Sequence, residues 1–253
     1  MAGARPVILL HGIFGFGRLK LGPIEVNYFG RIARALSQSG RETLSPSTLW
    51  SAPVEQRACR LKEIILPWLR QQTQKAVIVA HSMGGLDARY VISRLGLEGR
   101  VAALLTIATP HHGSPLADVC LESRAIRNLM LPLLDRLGLD MHGAADLTIR
   151  AAARFNGRIP DSPDVRYFSI SAACPMDRIP LLFQFSHQII HDKEGENDGM
   201  VSARSARWGT ELATWPVHHL HAINRRFPID CRCPIHDIAP LYVEALQRVE
   251  KEL

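Results

Sequence analysis

Ser82 ends the β-branched run Ala76-Val77-Ile78-Val79-Ala80-His81 and is followed by Met83-Gly84-Gly85. A short buried strand that breaks at a serine between small residues, with a helix opening behind it, is the pattern of a nucleophile elbow. The sharp turn leaves no room for bulk two positions either side of the serine, and Ala80 and Gly84 are small. Such a turn lifts the hydroxyl above the carboxyl end of a sheet and aims a helix N-terminus at the space where an oxyanion would form. A second chemical signal lies upstream, where the apolar run Pro6-Val7-Ile8-Leu9-Leu10 enters His11-Gly12-Ile13-Phe14-Gly15-Phe16-Gly17. Glycines after a strand free backbone amides from the ladder, so the N–H groups of Ile13 and Met83 are the expected oxyanion donors. The loop lacks the spacings of a phosphate cradle.

A serine hydroxyl needs a base and a carboxylate that orients it, in the chain order Ser, acid, His. Asn197-Asp198-Gly199-Met200-Val201 supplies a carboxylate in a turn expected after the last strands, and Val217-His218-His219-Leu220-His221 follows it. Asp198 would fix the imidazole tautomer while a histidine moves the proton. Spacing leaves His218, His219 and His221 in competition for that role. His81 leaves the elbow in another direction than Ser82 and reads as packing or pocket lining, not as the base. His111 and His112 read as structural hydrogen-bonders.

These segments, together with Ala108-Thr109-Pro110-His111-His112-Gly113-Ser114, Asp146-Leu147-Thr148, Phe155-Asn156 and His218-His219-Leu220-His221-Ala222-Ile223-Asn224, fall in an order that resembles the bacterial triacylglycerol lipases from residue 7 to about 226. The resemblance implies an α/β-hydrolase fold, Ser82 as nucleophile, Asp198 as acid, and backbone donors at Ile13 and Met83. It also selects His219 as base, the histidine before the leucine. Ala80 in place of the usual first glycine is similar to the small lipases of bacilli. His221 stands where calcium-binding members carry an aspartate, which removes an anionic ligand from a hard cation and implies no structural calcium. Arg204 occupies the place of an expected disulfide cysteine.

At 253 residues and 47% hydrophobic content the chain can bury one large core, so one domain spanning 1–253 is expected. The alternation of strands at 6–10, 42–46, 76–80, 102–108 and 165–171 with helices at 26–38, 54–71, 84–95 and 239–252 predicts a mostly parallel sheet covered on both faces. Residues 115–160 interrupt it with the apolar cluster Leu129-Met130-Leu131-Pro132-Leu133-Leu134, Leu137, Leu139 and Met141, a cap or lid insertion by the resemblance. Leu181-Leu182-Phe183-Gln184-Phe185 is a second candidate for an acyl wall, or a core element.

No apolar run is long enough to span a bilayer, and Met1-Ala2-Gly3-Ala4-Arg5-Pro6 has no apolar signal region, so a cytoplasmic location is expected, with a secreted form that has lost its leader as the alternative. The five cysteines are odd in number and irregularly spaced, which favours a reducing compartment. Net charge is +6, but the basic residues are scattered, and no nucleic-acid partner is expected. His218, His219, His221, Cys231, Cys233 and His236 lack a zinc-site spacing. The reading is a cofactor-independent carboxylic-ester hydrolase acting on an acyl ester or lipid, with transient contact to a lipid interface. Its rivals are an acyltransferase on the same serine and a catalytically silent lipid- or partner-binding protein.

Overall fold

The computed structural model describes residues 4–13, 15, 18–21, 24–124, 142–227, 233 and 235–253. Six parallel strands form the sheet: β1 (Val7–Leu10), β4 (Thr43–Leu44), β5 (Ala76–His81), β6 (Val101–Ile107), β7 (Arg166–Ala172) and β8 (Thr210–Trp215), in the order β4-β1-β5-β6-β7-β8. A separate antiparallel hairpin joins β2 (Arg18–Leu21) to β3 (Ile24–Asn27). Among the described residues the helices are α1 (Gly30–Gln38), α2 (Val54–Leu69), α3 (Gly84–Leu95), α4 (Pro115–Glu122), α5 (His142–Ala145), α6 (Ile149–Arg158), α7 (Leu181–Glu194), α8 (Ala203–Ala206) and α9 (Ala239–Lys251).

Period-two alternation decides which side of the sheet each residue serves. Val7 and Leu9 of β1, with Val77 and Val79 of β5, pack with Ile32 and Leu36 of α1 and Tyr242 and Leu246 of α9. Ile8, Leu10, Ile78 and Ala80 point the other way, onto Leu61 and Ile65 of α2 and Val91 and Ile92 of α3. Strands buried on both faces read as continuous apolar runs, which is why β1 and β5 were visible in the sequence. Each fully buried Leu or Ile here stabilises by about 1.5–3 kcal/mol relative to exposure.

Two expectations need correction. The helix predicted from residue 26 begins at Gly30, because residues 24–27 pair with β2 and the Asn27 side chain accepts the Phe29 N–H at 3.0 Å. The hairpin had a signal in the alternation of Leu19, Leu21, Ile24 and Val26 about Gly22-Pro23. The turn holding Asp198 does not follow the last strand, since β8 lies between it and His219. That edge strand, Thr-Glu-Leu-Ala-Thr-Trp, is largely exposed and so lacks an apolar run.

In the predicted insertion, α4, α5 and α6 are described, while the cluster from Leu129 to Met141 lies outside the described residues. The segment from Leu181 to Phe185 is the first turn of α7, with Leu181, Leu182 and Phe185 exposed rather than in the core. No helix among the described residues is long and apolar enough to cross a membrane.

Candidate active site

Ser82 immediately follows the last residue of β5, at the carboxyl edge of the central strands. Its φ is +56°, in the left-handed region, a conformation that costs a non-glycine residue on the order of 1–3 kcal/mol. The turn is pinned by the Ser82 N–H to Ile107 O (2.9 Å), the Gly85 N–H to Ser82 O (3.0 Å) and the Thr109 hydroxyl to Ser82 O (2.7 Å). A Cβ on Gly84 would lie 2.7 Å from the His11 carbonyl oxygen and 2.9 Å from that of Leu10. The small residue there lets the start of α3 pass over the end of β1.

Asp198 and His219 come together although a strand separates them in the chain. The His219 Nδ1 lies 2.7 Å from Asp198 Oδ2, and the His219 N–H donates to the Asp198 carbonyl at 2.9 Å. The other carboxylate oxygen, Oδ1, accepts the Met200 and Val201 amides at 2.9 and 2.7 Å. A carboxylate only accepts, so Nδ1 carries the proton and Nε2 of the neutral ring keeps its lone pair. His219 and Ser82 line the same cavity. His218 and His221 pack on each other, the backbone N–H of His221 donating to His218 Nδ1 at 3.2 Å with the two ring centroids 5.6 Å apart, while the bond to the Asp198 carboxylate is made by His219. His111 is buried with its Nε2 3.1 Å from the Thr106 hydroxyl and its ring stacked on Trp208, in keeping with a structural role.

His81 does more than pack. Its Nε2 contacts the His219 carbonyl at 3.1 Å and its Nδ1 contacts the Tyr28 hydroxyl at 2.9 Å. A carbonyl can only accept, so Nε2–H donates, Nδ1 accepts from Tyr28, and the Tyr28 oxygen is left to receive the Gly12 N–H at 3.4 Å. Burial, followed by the neighbouring His219, holds the His81 imidazole well below the ordinary histidine range. His11 is pushed down to about 4 by burial and by Arg57, against the opposing bond to the Gly12 carbonyl.

The loop carrying Ile13 is fixed from beneath by Arg57, a fully buried residue of α2. Its Nη2 donates to the His11 and Gly12 carbonyls at 3.1 and 3.3 Å and pairs with Asp87 of α3 at 2.7 Å, while Nη1 reaches the Leu49 carbonyl. A trans, planar peptide sets its C=O and N–H on opposite edges. With the Gly12 carbonyl held by Arg57 and by His11 Nδ1 (2.8 Å), the Ile13 N–H is turned the other way. Among the described residues, neither the Ile13 nor the Met83 amide donates to a protein acceptor. Sequence reading assigned no role to Arg57, Asp87, Tyr28 or Thr109, although Thr109 lies in the segment 108–114 that carries part of the resemblance.

The shared cavity holds about 360 Å³, and Ile13, Leu116, Leu147, Val201 and Leu220 make its wall predominantly apolar around Ser82 and His219. A larger surface groove of about 630 Å³ between α1 and α9 contains neither serine nor histidine. Among the described residues no three His, Cys, Asp or Glu side chains converge on a common metal position.

Comparison with known proteins agrees with the fold. A family model described as a PGAP1-like alpha/beta domain matches residues 61–123. Triacylglycerol lipase 2 of Saccharomyces cerevisiae is 28% identical over 210 residues, covering 79% of this chain and 63% of the yeast protein, so this chain spans less than two thirds of that relative. The triacylglycerol lipase of Pseudomonas fragi is 27% identical, covering 97% of this chain and 96% of its own length. A metagenomic carboxyl esterase superposes with a TM-score of 0.79 at 19% identity, covering all of this chain and 77% of that one. The six-stranded parallel sheet with helices on both faces is an α/β-hydrolase fold.

Proposed function

From an α/β-hydrolase chain with triacylglycerol lipases among its sequence relatives, we propose a serine carboxylic-ester hydrolase with Ser82 as nucleophile, His219 as base and Asp198 as orienting acid. The observation that carries this reading is the 2.7 Å contact of His219 Nδ1 with a carboxylate whose other oxygen is already occupied by two backbone amides, on the wall of an apolar cavity that also presents Ser82. His219 Nε2 takes the Ser82 proton as Oγ adds to the ester carbonyl, and the amides of Ile13 and Met83 receive the oxyanion. The alcohol leaves with the proton from His219. Water then adds to the acyl-enzyme by the same route, so no cofactor enters the scheme.

The apolar wall fits an acyl chain, with α4 contributing Leu116, Ala117 and Cys120. Beside it, α7 presents Leu181, Leu182 and Phe185 at 83, 77 and 68% exposure, while its Phe183 packs near Gly199 of the acid turn. A large exposed apolar turn next to the acid turn supports transient contact with a lipid surface. The chain reads throughout as one domain with its cap at 115–160. Ser82→Ala is expected to abolish p-nitrophenyl butyrate turnover and labelling by a fluorophosphonate while leaving the far-UV circular dichroism unchanged. Retained turnover would transfer the chemistry to another group.

A further inference from the structure

We propose that Thr109 is a positioning residue for the oxyanion hole, aiming the Met83 amide by clamping the carbonyl on the opposite edge of the same peptide. The inference rests on the hydrolase reading above and adds a residue that contacts neither substrate nor nucleophile hydroxyl.

The Thr109 Oγ1 donates to the Ser82 carbonyl at 2.7 Å, and Thr109 is fully buried. The Ser82 carbonyl and the Met83 N–H share one planar trans peptide, so fixing the first from one side directs the second to the other. The Gly12–Ile13 peptide repeats the device, its carbonyl held by Arg57 and His11. Both expected donors therefore belong to peptides whose carbonyls are engaged away from the cavity.

The surroundings of Thr109 are built for this one bond. Ala108 adopts φ +50°, a left-handed conformation unfavourable for a residue with a Cβ, and its N–H is held by the Ile170 carbonyl at 2.9 Å. The chain turns at that point and brings Thr109 over the first turn of α3. It can approach only because residue 85 is glycine: a Cβ there would lie 2.3 Å from Thr109 Oγ1 and 2.6 Å from Cγ2. The second glycine of the Ser-Met-Gly-Gly run is thus the seat of Thr109. Two non-glycine residues in left-handed conformations, Ser82 and Ala108, flank a single hydrogen bond, and such strain persists only where surrounding structure over-determines it.

An oxyanion donor works by being in place before charge develops, so a misdirected amide lowers transition-state binding and spares ground-state binding. The test uses p-nitrophenyl butyrate and an alkyl trifluoromethyl ketone, to whose carbonyl Ser82 Oγ adds while its proton passes to His219, leaving an oxyanion for the hole. Thr109→Val keeps shape and removes the donor. It is expected to lower kcat by about 10- to 100-fold, to weaken the ketone by the same factor, and to leave KM within roughly twofold. Thr109→Ser is expected to restore both. Wild-type kcat and ketone affinity in Thr109→Val would overturn the proposal, as would a kcat loss with unchanged ketone affinity. Should Thr109→Val fail to fold, Thr109→Ser and Thr109→Ala differ in the hydroxyl alone, and equal kcat and ketone affinity in that pair would also overturn it. A wild-type chain that neither turns over ester nor reacts with fluorophosphonate would remove the hydrolase reading and this inference together, whereas active wild type with indifferent Thr109 variants removes this inference alone.

Discussion

Asp198 divides its two oxygens between jobs, one facing His219 Nδ1 and the other locked by the Met200 and Val201 amides. The carboxylate cannot rotate without losing two backbone bonds, so the imidazole is presented in one tautomer. Asp198→Asn is expected to preserve the fold and cut kcat by about 10⁴-fold, because an amide that donates to Nδ1 stabilises the wrong tautomer; stopped-flow or steady-state turnover of a p-nitrophenyl ester checks it. His11 makes a different prediction, on stability. It accepts the Thr48 N–H through Nε2 and must stay neutral to do so, and its folded pKa of about 4 lies below the ordinary 6.5. Between those values the unfolded chain binds a proton that the folded chain refuses, so stability falls as pH drops from 6.5 and the loss levels off near 4. A pKa lowered from 6.5 to about 4 corresponds to a contribution on the order of 3 kcal/mol. The urea unfolding midpoint should be lower at pH 4.5 than at pH 7, and His11→Gln should shrink the difference, the remainder belonging to the other buried histidines held below the ordinary range, His81 and His111 among them.

At the scale of elements, α2 and α3 are joined by the buried pair of Arg57 and Asp87, and the same guanidinium carries the carbonyls of the loop at residues 11–12. Removing the cation alone leaves a buried carboxylate unpaired. Arg57→Met is therefore expected to destabilise by about 3–5 kcal/mol in chemical denaturation, and the double variant Arg57→Met with Asp87→Leu to recover much of that loss. Turnover should stay depressed in the double variant, since its loop has lost the clamp. The first turn of α7 behaves oppositely. Leu181, Leu182 and Phe185 face solvent, so replacing all three with serine is expected to shift stability by no more than about 0.5 kcal/mol per site and to leave hydrolysis of a water-soluble butyrate ester unchanged. Hydrolysis of an emulsified long-chain ester and sedimentation with phosphatidylcholine vesicles should both fall. Unchanged emulsion activity would count against α7 as the surface contact.

At the scale of the whole molecule, a parallel sheet delivers the carboxyl ends of β1, β5 and β6 to one edge, each strand ending in a loop that carries part of the proposed site. β5 delivers Ser82, β1 the Ile13 loop and β6 Thr109, while the segments after β7 and β8 bring Asp198 and His219 to the same cavity. Much of this was legible in sequence. The central strands were visible because burial on both faces demands uninterrupted apolar residues, and the elbow because a strained turn tolerates only small neighbours. The order Ser, acid, His followed from residue types alone, although choosing His219 over His218 and His221 needed the resemblance. The edge strand β8 and the β2–β3 hairpin were not read, since β8 is largely exposed and lacks an apolar run and each hairpin strand is only four residues long. What only the tertiary structure decided are the contacts between distant segments: Arg57 beneath the Ile13 loop, His81 joining Tyr28 to the His219 carbonyl, and Thr109 behind Ser82. Periodicity and local sterics are properties of neighbouring residues and leave a mark on the chain, whereas a hydrogen bond between residues 27 or 138 positions apart depends on which surfaces the fold brings face to face.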